Sequence, residues 1–98
     1  MKNHRIDADV RVIAEVGHRM SYGGELYCLS DGTLLLLGKS SMWTFSGAFI
    51  IDPETEQETE AAIPIDGHFH AIHCRDDTFL LMDPKTGEMS LWLSLIHI

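Results

Sequence analysis

Ninety-eight residues suffice for one small domain, or for about two units of a repeat. Hydrophobic residues make up 45% of them, which excludes a chain disordered throughout. Fifteen acidic residues against seven basic ones give a net charge of −8, a balance that argues against a nucleic-acid or anionic-membrane surface.

Residues 1–9 form a polar lead-in. The first fifteen residues hold no apolar core of signal-peptide length, and no apolar run approaches the roughly 18 residues of a spanning helix. A cytoplasmic location is the default expectation, with Met1 read either as the start or as an internal methionine of a longer frame. Val10, Val12 and Ala14 alternate with Arg11, Ile13 and Glu15, which predicts a strand. Gly17 to Ser21 and then Gly23-Gly24 break it.

Residues 25–29 alternate again, with Leu26 and Cys28 on one side and Tyr27 and Leu29 on the other. Ser30-Asp31-Gly32 is hairpin chemistry, because Asp hydrogen-bonds the turn backbone and Gly takes positive φ. Leu34 to Leu37 is apolar on both faces, as in a strand covered from both sides. Residues 39–47 read as a polar connection carrying Trp43 and Phe45, and residues 48–51 as a strand closed by Asp52-Pro53. Glutamates at 54, 56, 58 and 60 would share one face of an outer, exposed strand. A calcium site is the sharper alternative, disfavoured because calcium wants converging oxygens rather than a row.

Asp66-Gly67 leads into a strand over residues 68–74, an Asp76-Asp77 turn and a strand over 78–82. Residues 83–88 form a hairpin loop, and 89–92 its return strand. No apolar period of 3.6 residues is sustained, so little helix is expected. Cys28 and Cys74 make neither a disulfide framework nor a zinc spacing, and are expected as small buried thiols. The last six residues, Leu93-Ser94-Leu95-Ile96-His97-Ile98, match a translated transposon-end sequencing adapter better than an apolar strand or anchor. His97 is therefore left out of any site, and the native chain is expected to be truncated near Trp92.

Asp31-Gly32-Thr33 with its leucine run is echoed by Asp76-Asp77-Thr78 with Phe79 to Met82, 45 residues later. Such a period marks a repeat architecture. His73 to Trp92, with Asp83-Pro84-Lys85-Thr86-Gly87 and the terminal Trp92, resembles the repeat of quinoprotein-type β-propellers. Residues 31–55, with Asp31-Gly32-Thr33, Gly38 and Asp52-Pro53-Glu54-Thr55, are closer to a Kelch-like blade. The chain departs from both. Gly38 is a single glycine where Kelch has two, and Glu56-Gln57 stands where the Thr-Gly motif places Gly. The resemblance covers residues 23–92 and implies an all-β fold of antiparallel sheets, about two blades of an incomplete propeller. Residues 10–64 are the first unit and 65–92 a partial second one.

Candidate chemistry is sparse. His68 and His70 would lie on one strand face with Ile72 and Cys74, and a His-x-His pair can begin a zinc, copper or iron site. No third ligand stands nearby in sequence, with His18 and Cys28 the candidates in space. The alternative, that two histidines line a propeller channel, is favoured, so neither a metal nor a cofactor is expected. No nucleophile elbow, Walker loop, dinucleotide glycine motif or carboxylate pair appears, and catalytic residues remain unknown. Trp92, at the end of a repeat, suits packing between blades. Loops at one end of the channel commonly carry propeller function, which selects Trp43 with His68 and His70 as ligand-binding candidates. The expectation is a binding or scaffold module for a protein or small ligand, with the remaining blades as partners. An enzyme on the same fold (a hydrolase, lyase or quinone-dependent dehydrogenase) is the alternative.

Overall fold

Short polar turns, each feeding a run of apolar residues, set the architecture. The computed structural model describes residues 10–15 and 22–92; the expected lead-in, the break at 17–21 and the adapter-like residues 93–98 lie outside them. The described residues hold seven strands and no helix. β1 (Gly24–Cys28), β2 (Leu34–Lys39), β3 (Phe45–Ile51) and β4 (Glu58–Glu60) form a four-stranded antiparallel sheet in that order. β5 (His70–Arg75), β6 (Thr78–Met82) and β7 (Met89–Trp92) form a three-stranded antiparallel sheet.

The turns work as their residues dictate. Asp31 Oδ1 accepts from the Thr33 amide at 2.9 Å and the Thr33 hydroxyl at 2.6 Å, and Gly32 sits at φ 90°. One loop is built twice. The Asp52 amide donates to Gln57 O at 2.9 Å and the Glu56 amide to Asp52 O at 2.7 Å; the Asp83 and Gly87 amides repeat both bonds to Glu88 O and Asp83 O at the same lengths. Gly87 takes φ 75° there, and Glu56 takes φ 62°.

Alternation along the strands sorts the side chains. Tyr27, Leu35, Leu37, Ala48 and Ile50 of the first sheet meet Ala71, Phe79, Leu81 and Trp92 of the second in one core. Leu35, Leu37, Phe79 and Leu81 are essentially inaccessible, and each such burial contributes roughly 1.5–3 kcal/mol. On the opposite face of the first sheet, Leu36, Phe49 and Ile51 pack with Leu34 against Ile13 and Ala14. The leucine run is thus covered on both faces.

Several expectations are corrected. Residues 10–15 form no strand: Val10 and Val12 are exposed, and the neighbours Ile13 and Ala14 lie on the sheet together, where alternation would have separated them. Arg11 holds the segment, with Nη2 donating to Pro53 O at 2.8 Å and Nε 3.5 Å from the Glu56 carboxylate. The glutamates do not share a strand, because the loop claims Glu54 and Glu56 and β4 begins only at Glu58. Phe45 to Gly47 belong to β3, since Phe45 is buried and exchanges amide bonds of 2.8 and 2.9 Å with Phe69. Cys28 and Cys74 are exposed: Cys28 sits on the outward face of an edge strand, and Cys74 at the bulge that ends β5.

Candidate functional site

The loop between β2 and β3 is short and braced from within. Ser41 Oγ lies 2.7 Å from Thr44 Oγ1 and accepts from the Thr44 amide at 3.2 Å. That brace holds the loop closed while Trp43 stands out from it, 77% exposed. Lys39, at the end of β2, places Nζ 5.3 Å from the centre of the Phe45 ring, within cation–π range.

His68 and His70, selected as a pair, are separated by the structure. β5 begins at His70, so His68 lies outside it. Its Nδ1 turns back to the loop, 3.4 Å from Ser40 Oγ and 3.3 Å from Thr44 Oγ1. His70 instead projects from the second sheet on the face turned away from the first. Trp43 and His70 do come together, on the wall of a cavity of about 340 Å³. The second sheet contributes Ala71, Ile72, Leu80, Met82 and Met89 to its lining, mostly apolar, and the first sheet contributes Glu25, Lys39 and Phe45. The chemistry available there is apolar contact and stacking, with one ammonium and one carboxylate at the margin. Among the described residues, no three His, Cys, Asp or Glu side chains converge as a metal site would require.

Ile72, Leu80, Met82 and Met89 belong to a larger surface. The register His70–Met82–Met89 and Ile72–Leu80–Leu91 lays two rows across the second sheet, on the face away from the first. Ile72, Met89 and Leu91 are each at least 60% exposed. The two rows thus form a contiguous apolar face with three of its large side chains open to water.

Two polar features escaped the sequence reading. Asp77 was expected only as turn chemistry; it is a turn residue, but a buried one. Its carboxylate accepts the Ser30 amide at 3.0 and 3.2 Å, and the Ser30 hydroxyl as well, so the two hairpin turns are tied together. The signal available was redundancy: two aspartates stand where one suffices for a turn. Tyr27 donates its hydroxyl to Glu25, and its ring lies 5.0 Å from Phe79 and 5.4 Å from His73, between the sheets. Burial first, then the Glu25 hydrogen bond and charge, push its phenol up to about 12. Trp92 is buried in the core the two sheets share, 6.1 Å from Phe79. No helix among the described residues is long and apolar enough to cross a membrane. Comparison with protein-family models, with curated proteins and with solved structures finds no match for this chain.

Proposed function

We propose that the chain is a binding or scaffold module of β-propeller type, whose recognition surface is the open face of the second sheet with Trp43 at its rim. One observation carries this reading: the cavity that gathers Trp43 and His70 is lined by apolar side chains, among them Ile72 and Met89, which are each at least 60% exposed. Burying that apolar lining supplies affinity, at roughly 25 cal/mol per Å² of apolar surface. Trp43 supplies an aromatic anchor of the kind that dominates binding energy at interfaces. The partner is a protein surface or a small apolar ligand, with Lys39 and Glu25 setting orientation. His68 supports the loop rather than the ligand.

Titration with anilinonaphthalene sulfonate, followed by dye fluorescence, tests the surface. The chain binds the dye, Trp43→Ala weakens it about tenfold, close to 1.4 kcal/mol, and Ile72→Asp abolishes it. His68→Ala leaves it within about twofold. Dye binding indifferent to both Trp43 and Ile72, in variants that retain the wild-type β-sheet spectrum, overturns the assignment.

A further inference from the structure

The cavity beside Trp43 carries one fixed charge of each sign, and the fold keeps the two apart. Alternation puts Glu25 and Lys39 on one face of the first sheet: Glu25 stands opposite Leu37, and Lys39 lies two residues further along β2. Such diagonal neighbours lie roughly 7–8 Å apart, within reach of a long side chain. These two nevertheless form no ion pair with each other. Each is engaged by an aromatic residue instead. Tyr27 donates its hydroxyl to the Glu25 carboxylate, and its ring is packed against Phe79 and His73. The Lys39 ammonium lies 5.3 Å from the centre of the Phe45 ring, and Phe45 is buried and bonded through its backbone to Phe69. Neither contact exhausts the charged group. A carboxylate that accepts one hydroxyl has further lone pairs, and an ammonium over a ring keeps its N–H donors.

We infer that the small-molecule ligand of this cavity is a free amino acid with a large apolar side chain, an inference that rests on the binding surface assigned above. Its ammonium goes to Glu25 and its carboxylate to Lys39, each through charge-assisted hydrogen bonds. Its side chain enters the apolar lining beside Trp43, Ile72 and Met89. An uncharged ligand would dehydrate both poles and pair neither, and a ligand of one charge would strand the other pole. A molecule with both signs on neighbouring groups and an apolar body matches the poles and the lining together. The volume of about 340 Å³ is at the small end for ligand pockets and suits a molecule of this size.

The test titrates the full chain with three compounds and follows the fluorescence of Trp43, the exposed tryptophan. They are phenylalanine, its amide, which lacks the carboxylate, and its N-acetyl form, which lacks the ammonium. Phenylalanine binds at least about tenfold more tightly than either derivative and displaces the dye. Lys39→Gln brings phenylalanine down to the level of its amide, and Glu25→Gln brings it down to the level of the N-acetyl form. Glu25→Gln keeps an acceptor for Tyr27, and a wild-type β-sheet spectrum checks that both variants fold. Three results overturn the inference: phenylalanine that binds no better than its derivatives, a preference that survives both substitutions, or phenylalanine that leaves the dye in place. In each of these the chain still binds the dye. Failure of the binding surface itself reads differently, as no dye binding at all.

Discussion

At the scale of the residue, the informative positions are those where a side chain and its backbone disagree. Glu56 occupies the left-handed position that Gly87 fills in the matching loop, with the same hydrogen bonds around it. A non-glycine residue there costs about 1 kcal/mol. Its compensation is a 3.5 Å ion pair with Arg11 between largely exposed partners, of a kind worth a few tenths of a kcal/mol. Glu56→Gly therefore stabilises the chain by roughly 0.5 kcal/mol, visible as a higher urea midpoint at unchanged slope. The departure from the Thr-Gly pattern was legible in the sequence; that the backbone keeps the glycine conformation regardless was not. Tyr27 offers a second reading at this scale. Its folded pKa of about 12 exceeds the ordinary 10, so the unfolded chain releases the phenol proton first. The stability it contributes is whole below pH 10 and is lost as pH rises through 12. Urea midpoints measured across that window fall for the native chain, and Tyr27→Phe flattens this part of the decline.

At the scale of the element, hairpin turns decide how the sheets meet. The Asp77 carboxylate is buried and holds both the amide and the hydroxyl of Ser30, joining turns 47 residues apart in sequence. Asp77→Ala leaves the Ser30 amide without that partner and costs roughly 1–3 kcal/mol. Asp31→Ala removes only an exposed turn contact and costs less. Chemical denaturation of the two variants checks the order; equal losses would mean that Asp77 serves its own turn alone. The strands themselves were readable: the leucine run, the strand over 78–82 and the return strand ending at Trp92 stand where alternation and turn chemistry put them. The glutamate row was misread because alternation in composition does not require an extended backbone. Asp52 and Thr55 bind the loop amides locally, and that chemistry wins over residues 52–57. The histidine pair failed likewise. His68 precedes the strand, so spacing alone did not place it with His70.

At the scale of the whole molecule, antiparallel strands without helix among the described residues follow from periodicity and punctuation, and the division into two sheets from the 45-residue echo. The direction of stacking does not, because strand alternation defines two faces without naming which one meets a neighbour. Nor did composition warn that Cys28 and Cys74 would be exposed, since each is a small apolar residue on a face whose covering is decided elsewhere. Trp43 and His70 were singled out for being aromatic or titratable near a loop; the fold joins them through β5, which brings His70 onto the same wall.

The outer margin of the first sheet governs how such a molecule meets its own kind. β4 is three residues long and carries Glu58 and Glu60. Lateral growth of the amyloid sort, strand beside strand, would there bring carboxylates of two chains together on molecules already bearing −8. Along β4, then, carboxylates guard the open row of backbone amides and carbonyls, so a second copy that approaches this edge meets like charge before it meets an unpaired strand.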